Sequence, residues 1–400
     1  MDRAATPDRR LLTGQFTLLM VGSGLFFSGF GILNALVPPY VVDVLEGSEA
    51  TAGFVMGSFA ITSLCSRPFV GRIADRHGPR RVLVGGAVIG VVAMLLLRVG
   101  PDTLATVVAS RLVLGVSGAA MFTGSALLSI MLAPPDRQGR AASLMLVSVH
   151  VGLGLGPVIG IRIQQAAGYG SVWLVVAGAA AAGGIVLALI DRTTPAAGRV
   201  DGPLVHRAAL VPGVVPFFGV FAFNGFITFA SLYGREVGVG DVALLFTAAS
   251  GTIVLVRVTA GHVPDVIGPI RAGTGALVLT TAATLLLALW QTPTGLFVGA
   301  IAVAAGLSLQ TPSFMPLALA GVPDEERGSA MATFTAFYDL ANAVIGPTVG
   351  LIVAGAGYRV AFSTTAFMSV VALVILRRGV APGWTARQAP ARERSNPASV

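Results

Sequence analysis

Apolar stretches alternate with short polar clusters along nearly the whole chain. Each apolar stretch has about 20 residues, enough for a helix to cross a hydrocarbon core about 30 Å thick, whereas barrel strands would show about 10 residues of alternating polarity. The predicted spans lie near residues 15–37, 52–71, 80–99, 104–132, 141–163, 171–190, 210–232, 242–262, 271–290, 294–318, 328–355 and 359–377. The pattern therefore predicts an all-α membrane protein with twelve transmembrane helices.

The composition supports this prediction and excludes several soluble classes. The 400 residues are 54% hydrophobic and 11% charged, whereas soluble domains carry about 25% charged residues. A nuclease, a soluble hydrolase and a Rossmann dehydrogenase are therefore excluded. One cysteine and four histidines without ligand spacing predict neither a metal site nor a cofactor. No activated nucleophile or sizeable soluble domain indicates an enzyme.

The positive charge follows the predicted topology. All 26 basic residues are arginine, which together with the many alanines and glycines is typical of a GC-rich bacterial genome. If the N-terminus is cytoplasmic, 19 arginines fall on the cytoplasmic side and four fall outside. The positive-inside rule then predicts a multi-pass protein of the bacterial cytoplasmic membrane with both termini in the cytoplasm. The net charge of +8 is explained in this way and does not require a nucleic-acid partner.

An internal repeat divides the chain into two halves. Ten residues recur at an offset of 190, including Arg67 as Arg257, Gly156 as Gly346 and Asn34 as Asn224. The segment 191–209 is the longest polar stretch between spans and is predicted to be a cytoplasmic linker. We therefore predict two pseudo-symmetric six-helix bundles, 1–190 and 210–378, related by an axis along the membrane normal. A disordered cytoplasmic tail is predicted at 379–400.

The loop between the second and third spans carries a spaced set of glycines and charges. Its members are Gly71, Asp75, Arg76, Gly78, Arg80 and Arg81. This spacing resembles the first cytoplasmic loop motif of the major facilitator superfamily, with Pro79 in place of one basic residue. The glycines permit close helix contact and a tight turn. The resemblance implies a cytoplasmic gate in which Asp75 pairs with an arginine; the alternative is a positive loop with one compensating acid.

Two further motifs extend the resemblance over the first half. Arg111 opens an R-x-x-x-G pattern in the fourth span, about 13 Å deep, where it must face protein or water. It is expected to modulate a proton site or to contact an anionic substrate group; the alternative is a structural arginine. In the fifth span, Gly152, Gly156, Pro157 and Gly160 are similar to the motif of the exporter branches. These glycines allow a neighbouring helix to approach closely.

Two other ionisable side chains lie about 15 Å deep in the predicted spans, namely Asp339 and His150. Asp339 is the single acid within any predicted span. A buried carboxyl can carry a proton, and histidine can do so near neutral pH, so both are proton-coupling candidates. The alternative for Asp339 is an ion pair that fixes a helix seam. Arg67 and Arg257 lie near cytoplasmic helix ends and are expected to snorkel to the interface.

The resemblance implies that the first and seventh spans line a central cavity. One face of the first span carries Phe27, Phe30 and Asn34, and one face of the seventh carries Phe217, Asn224 and Thr228. Aromatic rings with a few hydrogen-bonding groups are typical of a pocket for an amphiphilic organic molecule. The alternative is that these stripes pack helices together.

The resemblance covers nearly the whole chain and implies alternating access by two halves rocking around a site in the middle of the membrane. The favoured activity is export of a small organic compound, a drug or a metabolite, by proton antiport. The alternative is proton-coupled uptake of a nutrient such as a sugar or an organic acid. The expected partners are this substrate, protons and the lipid bilayer, and a monomer is sufficient.

Overall fold

A computed structural model describes residues 12–100, 102–134, 137–191, 205–323 and 326–388. Within these ranges the regular elements are all helical. They are α1 (Gly14–Asp43), α2 (Glu49–His77), α3 (Pro79–Val99), α4 (Leu104–Met131), α5 (Gln138–Ala188), α6 (Arg207–Gly219), α7 (Phe221–Glu236), α8 (Val242–Ala260), α9 (Val263–Ile267), α10 (Pro269–Leu289), α11 (Pro293–Leu319), α12 (Arg327–Val374), a π-helical turn (Ile375–Val380) and α13 (Ala381–Gln388). Most of the predicted linker, 192–204, and the end of the predicted tail, 389–400, lie outside the described residues.

The helices are long and apolar, as the hydropathy pattern predicts. In the described part of the chain, nine helical stretches are long and apolar enough to cross a membrane. The all-helical fold class is therefore confirmed. Two of these stretches, in α5 and α12, each contain two of the predicted spans. The charged helix α2 is not among the nine, and the count of twelve spans stays a prediction.

Glycine divides each of the two longest helices. Helix α5 has 51 residues and α12 has 48, lengths of about 75 Å that exceed any bilayer core. Gly168 in α5 and Gly357 in α12 adopt φ angles of 72° and 76°. Backbone in this left-handed region favours glycine because a Cβ atom would be strained there. Each long helix is thus two helices joined at a glycine, and each glycine lies between two of the predicted spans.

The chain forms two compact units. The first comprises Met1–Leu36 and Ile61–Gly198, and the second comprises Val37–Ala60 and Arg199–Val400. The end of α1 and the start of α2 therefore pack with the second unit, although the repeat assigns them to the first half of the sequence.

In the first unit, small residues bring helices into close contact. The Ser110 and Ser117 hydroxyls on α4 donate to the Ala93 and Gly86 carbonyl oxygens on α3, both at 2.6 Å. Such interhelical hydrogen bonds add directly to packing where the surrounding lipid offers no competing partner. They fix α4, the helix of Arg111, against α3.

The seam between α1 and α5 is built on the glycine motif of the fifth span. A methyl group at Gly152 or Gly156 would collide with the Gly24 or Ser28 carbonyl oxygen of α1. The contact is reciprocal, since a methyl group on Gly31 of α1 would lie 2.5 Å from the Leu153 carbonyl oxygen. Only glycine allows backbones to meet this closely. Within the first unit, the motif therefore acts as a helix-packing surface.

The core of the second unit is larger and more aromatic. Phe314 of α11 and Phe334 of α12 are buried together with Leu277 of α10 and Leu376 of the π-helical turn. Trp384 of α13 packs against the same cluster, so the described start of the predicted tail is helical and partly covered. At the other end of this unit, Tyr233, Tyr358 and Phe362 form a ring cluster with centroid distances of 4.8–6.0 Å.

Many large apolar side chains lie on the outer surface. Ile185, Phe367 and Phe54 keep 65%, 61% and 54% of their surface exposed. Exposed apolar area on this scale is uncommon on soluble monomers and is typical of a surface that meets another apolar phase. The surface is therefore suited to contact with lipid tails.

The seam predicts a sharp contrast between two glycines of α5. Gly156→Ala is expected to lower the stability of the protein by about 1–3 kcal/mol, because the new methyl group overpacks the contact with α1. Gly178→Ala is the matched control, since open space surrounds Gly178; it should be within about 0.5 kcal/mol of wild type or more stable, because alanine favours helix. The free energy of unfolding of each variant is measured in mixed micelles. If both variants lose the same stability, the close contact between α1 and α5 at Gly156 is contradicted.

Candidate functional site

A buried acid and two amides lie together in the second unit. Asp339 of α12 keeps only 6% of its surface exposed. One turn later on the same helix, the Asn342 side-chain oxygen accepts a hydrogen bond of 2.5 Å from the Asn224 amide of α7. Thr228 of α7 donates to the Asn224 carbonyl oxygen at 2.7 Å. The arrangement joins α7 and α12 through polar groups inside an otherwise apolar bundle.

This cluster can bind polar groups and hold a proton. The Asn224 oxygen and the Asn342 amide nitrogen are not used by the pair, and each can bond to a ligand. Ionising a carboxyl in an apolar span is costly, so the carboxylate of Asp339 needs either a proton or another cation beside it. Asp339 is therefore suited to release its proton when a different positive group takes the proton's place. Sequence reasoning placed Asn224 and Thr228 among the cavity candidates, and the structure adds Asn342 as the direct partner of Asn224.

The seventh predicted span contains α6 and α7, with Val220 between them in a helical backbone conformation. Helix α6, with Pro212 and Pro216 inside it, ends at Gly219, and α7 begins at Phe221. Proline removes a backbone donor and disfavours a continuous helix. Phe217 therefore lies on α6, where its ring contacts Phe218 and Phe221 at centroid distances of 4.9 and 5.8 Å. Phe217 remains half-buried.

In the first unit, the aromatic candidates are well packed. Phe27 and Phe30 are each 6% exposed. Their ring centroids are 5.8 Å apart, and both rings contact Phe26. A ligand would reach these rings only after they moved. Asn34, one turn further along α1, is half-buried.

Arg111 lies at a tightly fixed point of the first unit. Its side chain is 2% exposed. The preceding residue, Ser110, bonds to α3, and the following residue, Leu112, accepts a hydrogen bond of 2.7 Å from the Thr62 hydroxyl of α2. Helix α4 is thus held on both sides of Arg111, so the backbone at Arg111 is fixed in place.

The ring of His150 is oriented by its own helix. Its Nδ1 atom lies 2.7 Å from the Leu146 carbonyl oxygen, one turn earlier in α5. A carbonyl oxygen can only accept, so Nδ1 carries a proton and gain or loss of charge takes place at Nε2. The side chain is half-buried.

The cytoplasmic loop motif forms a turn that starts α3. Gly78 has a φ angle of 84° and Pro79 occupies the first helical turn. The second copy has the same geometry, with Gly268 at 87° and Pro269 following it. Proline is favoured at this position because its missing N–H is not needed there. The departure of Pro79 from the family pattern is thereby explained by the turn.

The charged members of the motif have different surroundings. Arg80 donates to the Ala188 carbonyl oxygen at 2.5 Å and so caps the end of α5 within the first unit. Arg76 and Arg81 are exposed, and Gly71 faces open space. The side chain of Asp75 lies outside the described residues.

A second glycine seam lies in the second unit, between α2 and α12. Methyl groups on Gly53 and Gly346 would each collide with the carbonyl oxygen of the other residue. Nearby, a methyl group on Gly57 would lie 2.7 Å from the Ala343 carbonyl oxygen. At the adjoining helix ends, Arg235 and Asp43 form an ion pair with N···O distances of 2.5 and 3.2 Å. Sequence reasoning did not identify this pair.

The comparison with known families settles the class of protein. The sequence model of the Major Facilitator Superfamily matches residues 19–250 and 214–400. The chain belongs to this superfamily. It is therefore a multi-pass membrane protein of the transporter class, as the loop motif and the repeat predicted.

Similar proteins agree over most of the length. The uncharacterized MFS-type transporter YhhS of Escherichia coli K12 is 28% identical over 371 residues, which cover 87% of this chain and 88% of YhhS. The MFS-type transporter BMASAVP1_A0869 of Burkholderia mallei is 29% identical over 344 residues, with coverages of 83% and 84%. The relatives establish the class and leave the substrate open.

Solved structures show the same fold at low identity. The human organic anion transporter MFSD10 superposes with a TM-score of 0.71 at 17% identity, covering 91% of this chain and 100% of that one. A POT family transporter in complex with 5-aminolevulinic acid gives 0.77 at 13%, with coverages of 92% and 96%. The nucleoside transporter NupG gives 0.73 at 13%, with coverages of 91% and 99%.

The amide pair leads to a test by double-mutant cycle. Asn224→Ala and Asn342→Ala are expected to show a coupling of about 0.6–2 kcal/mol in the free energy of unfolding, because each variant breaks the same hydrogen bond. Thr335 of α12 bonds only to its own helix, so Asn224→Ala and Thr335→Ala should be additive within about 0.5 kcal/mol. If the changes in the free energy of unfolding are additive in both cycles, the hydrogen bond between Asn224 and Asn342 contributes nothing to stability.

Proposed function

We propose that this protein is a secondary active transporter that exports a small organic compound by proton antiport with alternating access. The observation that carries the proposal is the buried carboxyl of Asp339 beside the Asn224–Asn342 pair. A carboxyl at this depth can be charged or neutral as its surroundings change, which couples a proton to a substrate. The protein lies in the bacterial cytoplasmic membrane with both termini inside, acts as a monomer and carries out no covalent chemistry.

The other candidates supply the remaining steps. Within the second unit, Asn224, Thr228 and the half-buried ring of Phe217 provide hydrogen bonds and apolar contact for the compound. Within the first unit, His150 exchanges a proton at Nε2, and the anchored charge of Arg111 modulates that exchange. The loop with Arg76 and Arg81 acts as the cytoplasmic gate.

Proton movement in everted vesicles tests the role of Asp339. In vesicles with an acid interior, adding the substrate of an antiporter releases protons from the lumen. The panel comprises lipophilic cations, antibiotics, sugars and organic anions. Asp339→Asn should abolish the release because the amide cannot exchange a proton, while Asp241→Asn should keep it, since asparagine caps α8 as aspartate does.

The outcomes separate the two directions of transport. Protons that leave the lumen as substrate enters establish antiport and export. Protons that enter together with substrate establish symport and support nutrient uptake, with the same residues as carriers. Full proton release in Asp339→Asn removes Asp339 from the mechanism.

We infer that the segment Val37–Ala60 moves during transport. The repeat assigns it to the first half, whereas its packing assigns it to the second unit. Its contacts with that unit are the Gly53–Gly346 seam and the Asp43–Arg235 ion pair, at the end that the arginine distribution predicts to face outside. We infer that these contacts open and close as the transporter alternates.

A reversible cross-link tests this gate. In a Cys65→Ser background, Asp43→Cys with Arg235→Cys should transport normally, because an exposed ion pair contributes only about 0–1 kcal/mol. Joining the two thiols with a short cleavable reagent should reduce transport at least about tenfold, since closure then cannot reverse, and cleavage should restore it. Each single variant treated with the same reagent is the control. Undiminished transport by the cross-linked protein would refute the gate.

A further inference from the structure

His206 ties the end of the predicted linker to the start of α12. It is the residue before α6, which begins at Arg207. The backbone N–H of His206 donates to the Thr333 hydroxyl of α12 at 2.8 Å. Its ring Nε2 atom lies 2.9 Å from a carboxylate oxygen of Glu326, the residue before α12. Two hydrogen bonds of one residue therefore join the starts of two helices in the second unit.

The contact between His206 and Glu326 is partly shielded from water. The His206 side chain is 12% exposed, and the Glu326 side chain is 45% exposed. Thr333, which holds the backbone of His206, is buried and donates in turn to the Ser329 carbonyl oxygen at 3.0 Å. Polar contacts that are shielded from solvent lose less of their strength to competing water than contacts at an open surface. The contact is therefore suited to control how firmly the two helix ends are held together.

The strength of this contact depends on the charge of the histidine. A neutral ring donates from Nε2 to the carboxylate, and a protonated ring adds a Coulomb attraction to the same hydrogen bond. Histidine changes its charge between about pH 5 and pH 8, a range in which ordinary glutamates remain ionised. The contact therefore tightens as the pH falls through this range, and it loosens as the pH rises.

Glu326 is the group that favours a charged ring. Among the described residues it is the one acid that bonds to the ring of His206, whose Nδ1 atom is enclosed without a hydrogen-bond partner. Asp339 lies about 20 Å further along α12, and the sequence neighbours Asp324 and Glu325 lie outside the described residues. Helix α6 packs against α11, α12 and the π-helical turn, which packs in turn against α10. The charged side chains at the same end of these elements are exposed arginines, namely Arg207, Arg271, Arg327, Arg377 and Arg378.

The other end of the predicted linker is held by groups that do not titrate near neutral pH. In the first unit, the Gln15 amide of α1 donates to the Asp191 carboxylate at 2.8 Å and accepts from the Asp191 backbone N–H at 2.9 Å. An amide has no charge to gain, and ordinary aspartates are ionised near neutral pH. The pH dependence therefore belongs to the contact of His206 and not to the contact of Gln15.

Packing does not explain a histidine at this position. At the offset of 190, Phe16 stands in the place of His206. Phe16 is buried and packs with Ala141 in the first unit. An apolar ring thus satisfies the packing of the equivalent position, and it avoids the cost of enclosing a polar atom such as Nδ1. The polar chemistry of His206 is what distinguishes the second half.

We propose that His206 and Glu326 form a latch that responds to the pH of the cytoplasm and slows transport when the cytoplasm is acid. The latch lies on the side that the arginine distribution predicts to be cytoplasmic. It joins α6 to α12, the helix of Asp339, so a tighter latch opposes movement between these helices. In an antiporter that carries protons inward, the latch limits proton entry into a cytoplasm that is already acid. This effect rests on the proposed function and adds a regulation to it.

A double-mutant cycle on the purified protein tests the latch without requiring transport. His206→Phe, Glu326→Gln and the double variant are unfolded by heat in phosphatidylcholine nanodiscs at about pH 6 and about pH 8. Phenylalanine is chosen because it fills the equivalent position of the first half. The coupling between the two positions, measured as a shift in unfolding temperature, should be at least about twofold larger at the lower pH, where the ring is charged.

The contact at the other end of the linker is the matched control. Gln15→Ala and Asp191→Ala break a side-chain contact of similar length. Their coupling should be the same at both pH values, because neither group changes its charge between them.

Transport in everted vesicles provides the second readout. These vesicles turn the cytoplasmic face toward the bath, so the pH of the bath acts on the latch. With a compound that wild type transports, His206→Phe and Glu326→Gln should take it up about two- to fivefold faster than wild type at about pH 6, the factor expected for the loss of one hydrogen bond. At about pH 8 the rates should be equal. His262→Gln, at an exposed position of the same unit, should match wild type at both pH values.

The two readouts separate the latch from the proposed function. A coupling that is absent, or equal at both pH values, would show a purely structural histidine and overturn the latch. A pH-dependent coupling with unchanged or slower transport by both variants at about pH 6 would overturn the regulation. If wild type transports no compound of the panel, the proposed function fails, and the unfolding cycle alone decides whether the latch exists.

Discussion

Close backbone contact at glycine is the interaction on which this structure depends. Lipid tails are as apolar as leucine, so helices in a bilayer gain little by hiding apolar side chains from them, and packing must hold the helices together. Here α1 meets α5 through Gly152 and Gly156, and α2 meets α12 through Gly53 and Gly346. These seams place the helices that carry His150 and Asp339, so the positions of the candidate proton carriers depend on them.

The arginines and the asparagine pair inside the helices have different surroundings. Arg111 is anchored in the first unit by hydrogen bonds of its two neighbours in the chain. The amides of Asn224 and Asn342 satisfy one another in part. The Nε atom of Arg257 is enclosed without a hydrogen-bond partner in the described part of the chain. Since a polar group in a membrane span is costly, those left without a full complement of partners are the ones most suited to act on a substrate or a proton.

The repeat is a guide to fold and a weaker guide to contacts. Gly156 and Gly346 occupy equivalent positions in the two halves, yet the first packs against α1 and the second against α2. Equivalent backbone positions can therefore serve different purposes, because the residues that surround them have diverged.

The sequence by itself determined the helical fold class, the family and the approximate helix bounds, and it singled out Asp339 as a candidate proton carrier. Long apolar stretches admit only helices in a bilayer, and an acid among them is conspicuous. The tertiary structure decided which groups meet: Asn342 with Asn224, Arg80 with the end of α5, and Asp43 with Arg235. These pairs come from distant parts of the chain, and hydropathy and spacing describe one helix at a time, so they cannot specify the face that a second helix will cover.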